Sequence, residues 1–133
     1  MGCGSGILAL AMAHKWRCPV TAVDADPKAV RTTRRNAGIN RLGGALRVAQ
    51  ARGYRGLGGP YDFIVSNILA RPLIAMAGGL AGSLAPGGTA VLSGFHGSDI
   101  NRVAAAHAAR GLIRQRSIED DGWAALVMKK GGS

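Results

Sequence analysis

Short apolar runs alternate along the chain with segments of helical periodicity, and glycine, proline and aspartate separate them. The runs have the length of buried strands, about four to eight residues. Strands are predicted at 19–23, 45–49, 61–66, 89–92, 112–118 and 123–128, and helices at 7–16, 27–37, 72–84 and 98–110. Strands that alternate with helices indicate an α/β fold with a mostly parallel sheet.

Local signals mark where some of these elements begin and end. Asp26 followed by Pro27 predicts a helix start, because the carboxylate caps the helix and proline presets φ. Gly38 predicts the end of that helix. The turn residues at 120–122 predict a tight hairpin, so the last strand should run antiparallel to its neighbour. Trp123, which opens this last strand, is expected in the core.

A glycine loop at 2–6 opens the chain. A loop of this kind ordinarily follows a strand, so the first strand of the sheet is expected upstream of Met1. That strand would be central, and without it two neighbouring strands would keep open edges. The whole chain, 1–133, is therefore predicted to be a single, partial domain.

The net charge of +10 comes from 17 Lys and Arg against 7 Asp and Glu. The segment 15–55, called the basic segment below, holds ten basic residues against Asp24 and Asp26 and carries +8 of this charge. Such a balance favours an acidic partner, RNA or a ribosomal surface. The alternative is that arginine simply solvates the surface.

Two cysteines, Cys3 and Cys18, match no zinc spacing, so no metal is expected. So few cysteines favour a reducing, cytoplasmic location. No apolar stretch approaches the roughly 18 residues of a membrane span, so no membrane partner is expected.

The glycine loop has the spacing Gly2, Gly4, Gly6. A dinucleotide fingerprint would place its third glycine at position 7, which is Ile7. The observed spacing instead suits S-adenosylmethionine, which has no pyrophosphate to bind. Asp24 ends the following strand, and a carboxylate there can accept hydrogen bonds from ribose hydroxyls. The alternative is that Asp24 only caps the next turn, although Asp26 is better placed for capping.

Asn67 follows a strand at the carboxyl edge of the predicted sheet, where folds of this class bind ligands. Its side chain and the following backbone carbonyl offer acceptors to an amine. The alternative is that Asn67 only stabilises a turn and has no part in ligand binding. His96, in the loop after another strand, is expected to be a bystander.

Several segments carry a resemblance to a known family. GCGSGILA at 2–9, TAVDADPKAV at 21–30 and NA at 36–37 resemble motif I of class I methyltransferases and the segment after it. YDFIVSNILA at 61–70 with PL at 72–73, LAPGG at 84–88, LSG at 92–94 and GWAALV at 122–127 narrow the match. Together they resemble PrmA, the family of ribosomal protein L-eleven methyltransferases.

The resemblance implies a Rossmann-like class I methyltransferase sheet, mostly parallel with an antiparallel last strand. It also implies S-adenosylmethionine as cofactor and methyl transfer to amines of a large-subunit ribosomal protein. Gly2, Gly4, Gly6 and Asp24 would then contact the cofactor. Asn67 would lie where cofactor and substrate amine meet and would be the catalytic residue.

The chain departs from the family pattern at its beginning. The first strand, with its acidic residue before the glycine loop, and the family's separate N-terminal domain are both absent from the sequence. Two alternatives therefore stand beside a protein methyltransferase. One is an RNA methyltransferase, which the basic segment favours, and the other is a non-catalytic remnant of the domain.

Overall fold

The structure, a computed structural model, describes residues 1–2, 4 and 6–132. Cys3 and Ser5 of the predicted glycine loop, and the final Ser133, lie outside the described residues. The chain divides into two compact units, Met1–Gly53 and Tyr54–Ser133. Each unit has its own hydrophobic cluster and is described by itself.

Among its described residues, the first unit contains two helices and two strands, which are α1 (Ile7–Trp16), β1 (Val20–Asp24), α2 (Pro27–Ile39) and β2 (Leu46–Gln50). The strands β1 and β2 pair in parallel, with Val20 opposite Leu46 and Asp24 opposite Gln50. Ala13 of α1 and Ala37 of α2 pack with the strand residues in a small apolar core.

The predicted cap at the start of α2 is confirmed. The helix does not end where it was predicted to end. The side chain of Asp26 accepts a hydrogen bond from the Lys28 backbone N–H at 2.9 Å, and Pro27 occupies the first turn. The helix continues past Gly38 to Ile39. Arg41, with φ +57°, takes the left-handed conformation that was expected of the glycine.

The part of the second unit that the structure describes contains four strands and three α-helices. They are β3 (Tyr61–Asn67), α3 (Ala70–Ala75), α4 (Ala77–Ser83), β4 (Leu84–His96), α5 (Ile100–Ala108), β5 (Leu112–Asp120) and β6 (Trp123–Lys130). The strand order is β3-β4-β6-β5, with β3 parallel to β4 and β6 antiparallel to both neighbours. Only β6 is reversed, which confirms a mostly parallel sheet with an antiparallel last strand.

The prediction of elements 72–84, 89–92 and 98–110 needs correction. The first is two short helices that meet at Met76, and β4 already begins at Leu84. Residues 85–88, before the strand predicted at 89–92, lie within β4 as an irregularity between two paired positions. Gly97–Asp99 form a 3-10 turn, so α5 begins at Ile100 and not at position 98.

The outer strands of both sheets pair on one side only among the described residues. Among the described residues β1 pairs with β2 alone, and β3 pairs with β4 alone. The strands therefore form two sheets, whereas the alternation of elements predicted one. In the part of the chain that the structure describes, no helix has the length and apolar character needed to cross a membrane.

The core of the second unit contains a buried histidine. His107 of α5 is fully buried, and its Nδ1 lies 2.8 Å from the carbonyl oxygen of Val103. Its Nε2 has no hydrogen-bond partner among the described residues. Burial lowers the pKa of His107, because the charged ring would lose its hydration, while the Val103 hydrogen bond opposes this shift.

We expect this histidine to make stability depend on pH. Below the ordinary histidine pKa of about 6.5 the unfolded chain binds a proton that the folded chain does not. The free energy of unfolding should therefore be level above about pH 7 and fall as pH drops toward 5. Urea unfolding across this range measures the slope. His107→Leu should flatten it, whereas His14→Ala, at an exposed position of α1, should leave it unchanged.

Candidate active site

The glycine loop and Asp24 meet within the first unit. The backbone N–H of Gly4 donates to Asp24 Oδ2 at 3.1 Å, and the N–H of Asp26 donates to Asp24 Oδ1 at 2.9 Å. A carboxylate has about four acceptor positions, so roughly two remain for a ligand. Both interpretations of Asp24 are compatible with this arrangement, since it supports the turn and keeps acceptor capacity.

The shape of the loop depends on Thr33, which sequence reasoning missed. Thr33 lies on the buried face of α2, and its hydroxyl donates to the carbonyl oxygen of Gly4 at 3.1 Å. A Cβ on Gly6, where φ is +84°, would lie 2.7 Å from Thr33 Cγ2. Only glycine fits at position 6 without displacing this contact. The available signal was a threonine at an apolar position of the helix, three residues after Val30.

Two further glycines of the loop have left-handed backbones, and one of them borders open space. Gly2 and Gly4 have φ values of +73° and +52°, in the left-handed region that favours glycine. A Cβ on Gly4 would meet nothing within 4 Å. A ligand can therefore approach the backbone at this position closely, which is the property that a glycine loop contributes to a binding site.

Asn67 ends β3 in the second unit. It pairs with Ser93 of β4, and the backbone N–H of Ile68 donates to the Ser93 carbonyl at 3.0 Å. The preceding Ser66 is fully buried, and its hydroxyl lies 2.7 Å from that of Tyr54. Burial raises the pKa of Tyr54, against the effect of this hydrogen bond, so the phenol stays protonated.

Gly94 lies directly against the Asn67 side chain. It follows Ser93 at a register shift of β4 and has φ +92°. A Cβ there would lie 2.5 Å from Asn67 Oδ1 and 2.9 Å from the carbonyl oxygen of Ile68. The side-chain oxygen of Asn67 and the carbonyl oxygen of Ile68 thus both lie against Gly94. The signal that could have found this residue is a glycine inside a strand, which often marks a bulge.

Trp123 was expected in the core, and that expectation is wrong. Its side chain is 50% exposed, because Ala124 and Leu126 face the core and alternation turns Trp123 to the other side. The indole stacks on His96 with ring centroids 4.4 Å apart. His96, predicted as a bystander, therefore supports the side chain of Trp123.

We expect replacement of Gly94 to lower the stability of the protein for two reasons, its positive φ and its close approach to Asn67. Gly94→Ala should lower the free energy of unfolding by about 1 kcal/mol more than Gly87→Ala, because overpacking adds to the strain of a positive φ. Gly87 is a matched control, since its φ is +77° and its Cβ would meet nothing within 4 Å. Urea unfolding compares the two variants, and equal losses would contradict the close approach to Asn67.

Comparison with known protein families shows the family to which the chain belongs. The sequence model of the family described as Ribosomal protein L11 methyltransferase (PrmA) matches residues 1–131.

The chain belongs to the PrmA family. Curated relatives called Ribosomal protein L11 methyltransferase include proteins of Bradyrhizobium diazoefficiens, 38% identical over 99% of this chain, and Allorhizobium ampelinum, 40% identical over 97%. The chain covers 46% of each of these two relatives, so it spans about half of their length.

Solved structures agree with the assignment to the PrmA family. A ribosomal protein L11 methylase from Lactobacillus delbrueckii subsp. bulgaricus matches with a TM-score of 0.90 and 27% identity, over 98% of this chain and 67% of that one. A methyltransferase from Pyrococcus furiosus matches with a TM-score of 0.83 at 22% identity, over 98% of this chain and 72% of that one, which shows the shared fold. The Rossmann-like methyltransferase fold predicted from the sequence is thus confirmed.

No group of three or more potential metal ligands occurs among residues 1–2, 4 and 6–132. The functional residues predicted from the sequence are Gly2, Gly4, Gly6, Asp24 and Asn67. The structure brings Gly4 and Asp24 into hydrogen-bond contact in the first unit, and it places Asn67 against Gly94 in the second.

Proposed function

We propose that residues 1–133 are a partial catalytic domain of an S-adenosylmethionine-dependent N-methyltransferase of a ribosomal protein, acting in the cytoplasm. The observation that carries this proposal is the hydrogen bond from Gly4 N–H to Asp24 Oδ2 at 3.1 Å. It joins the two elements that the sequence singled out for the cofactor, in a chain that belongs to a methyltransferase family.

The residues of the first unit fit this cofactor. The free acceptor positions of Asp24 suit a pair of ribose hydroxyls, and the open space at Gly4 lets a ligand lie on the backbone. Gly2 and Gly6 keep the loop in its left-handed conformation. When bound, S-adenosylmethionine supplies a methyl group on an activated sulfonium.

The role of Asn67 is to bind and orient the substrate amine. The hydrogens of an amine can donate to Asn67 Oδ1 and to the carbonyl oxygen of Ile68, which both lie against Gly94. An amine held by its hydrogens keeps its lone pair free to attack. Orientation of this kind contributes through proximity, because the reacting atoms are already aligned.

The substrate class follows from the relatives. The proteins of Bradyrhizobium diazoefficiens and Allorhizobium ampelinum are called methyltransferases of ribosomal protein L11. We infer that the methyltransferase activity proposed for this chain acts on a large-subunit ribosomal protein. We also infer that it uses no metal and has no membrane partner.

The basic segment supports RNA as a second candidate substrate. Among the described residues of the segment 15–55, no arginine or lysine forms an ion pair with an acid. Arg34 instead donates to the carbonyl oxygen of Val48 at 3.1 Å. These free cations would suit a phosphate backbone.

Methyl transfer distinguishes the candidates. The chain is incubated with methyl-labelled S-adenosylmethionine and large ribosomal subunits, and protein and RNA fractions are counted separately. Label in a protein band, reduced with Asp24→Ala at a limiting cofactor concentration, is the expected result. Label in RNA would favour the RNA methyltransferase. Cofactor binding without label in either fraction would favour a non-catalytic remnant.

A further inference from the structure

An open pocket of about 510 Å³ lies beside Asn67 in the second unit. Asn67 and Gly94 line it together with Ile118, Asp120 and Trp123. The proposed function uses only Asn67 and its immediate neighbours. The residues of β5 and β6 therefore line the same pocket without an assigned role.

Strand register explains how the pocket forms. One lateral row crosses the sheet, with Asn67 opposite Ser93, Ser93 opposite Ala125 and Ala125 opposite Ile118. Side chains in such a row share one face of the sheet. Neighbouring strands are about 4.8 Å apart, so Asn67 and Ile118 are separated by roughly 14 Å. Ser93 and Ala125 are small, which leaves a trough between the two larger side chains.

The hairpin between β5 and β6 holds the far end of the trough. Asp120 pairs with Trp123 across a two-residue turn, Asp121 and Gly122, whose φ values are +50° and +81°. Two positive φ values are those of the tight I′ turn that suits a twisted hairpin. The N–H of Gly97 donates to the carbonyl of Gly122 at 2.8 Å and ties this turn to the end of β4.

The acidic residues at this end of the pocket give it a preference for cationic ligands. Three of the seven acidic residues of a chain with net charge +10 are consecutive, at positions 119–121. Among the described residues, ion pairing joins Asp99 to Arg102 and leaves these three acids without a basic partner. One face of the Trp123 indole stacks on His96, and its other face can attract a cation. A carboxylate and an indole on adjacent positions of one pocket therefore favour a positively charged ligand.

We propose that Asp120, Trp123 and Ile118 form a subsite for a second cationic side chain of a basic peptide, next to the target amine. The inference rests on the proposed function, since it takes Asn67 as the place of the target amine. Residues two apart in an extended peptide are separated by about 6.8 Å, and their side chains span the rest of the trough. The methylenes of the second side chain would lie along Ile118, with its ammonium between Asp120 and the indole.

The test measures peptide binding and requires no methyl transfer. The chain has two tryptophans, so Trp16→Phe leaves Trp123 as the single emitter. Its emission is titrated with the blocked peptide Ala-Lys-Ala-Lys-Ala and with the analogue that carries norleucine at the second lysine. The lysine peptide should bind about fivefold or more tightly than the norleucine peptide, and added salt should reduce the difference.

Matched variants separate the subsite from general charge. Asp120→Asn should abolish the preference, and Asp120→Glu should retain it. Asp62→Asn, the same charge change at an exposed position of β3, should also retain it. Equal binding of the two peptides, binding of neither, or an unchanged preference in Asp120→Asn would overturn the proposal. A chain that binds the lysine peptide but transfers no methyl group would contradict the proposed function alone.

Discussion

Replacing Asn67 with alanine should lower the rate of methyl transfer about a hundredfold, because a misplaced amine loses the alignment on which the reaction depends. The Asn67 side chain has its Oδ1 beside the Ile68 carbonyl oxygen, at the point where Gly94 leaves room for both. Alanine removes one of these two acceptors and leaves the strand intact. The turnover number, measured with labelled S-adenosylmethionine at saturating cofactor, reports the effect.

Cofactor affinity is the control for this variant. The dissociation constant of S-adenosylmethionine should change less than the turnover number, by about fivefold at most. Asn101→Ala, at an exposed asparagine of α5 whose Oδ1 accepts a hydrogen bond from Arg114 at 3.4 Å, should leave both quantities unchanged. Turnover of Asn67→Ala within about threefold of the parent chain would remove Asn67 from the catalytic machinery.

Asp24→Ala should weaken S-adenosylmethionine binding at least about tenfold, the size expected for the loss of one charged hydrogen bond. The substitution removes the acceptors for ribose hydroxyls and also the partner of the Gly4 N–H at 3.1 Å. Asp24→Asn retains one acceptor oxygen and should bind with intermediate affinity. Calorimetric titration of each variant measures the dissociation constants.

The control for Asp24 is an equal change of charge elsewhere. Asp62→Ala removes an exposed carboxylate of β3, and it should leave cofactor affinity unchanged. Circular dichroism of each variant confirms that the helices persist. If Asp24→Ala and Asp62→Ala bound the cofactor equally well, Asp24 would have no part in the site.

Features set by neighbouring residues could be predicted from the sequence. The cap at Asp26 and Pro27 and the hairpin turn at Asp121 and Gly122 depend on side chains and φ angles within a few positions. The edge position of Asn67 followed from the end of an apolar run. These predictions required no knowledge of which strands pair.

Features set by distant residues could not be predicted in this way. Gly94 is required because register brings it against Asn67, 27 positions earlier in the sequence. Thr33 is required because α2 packs its buried face against Gly4 and Gly6. Trp123 was predicted in the core because aromatic residues are ordinarily buried in strands. In the structure the neighbouring residues Ala124 and Leu126 face the core instead, and Trp123 points to the other side of the sheet.

Calorimetric titration of S-adenosylmethionine into the chain, with circular dichroism on the same sample, tests most directly the claim that the glycine loop and Asp24 hold this cofactor. We expect saturable binding to a chain with the spectrum of a folded α/β protein. A folded chain that takes up no cofactor would contradict the claim.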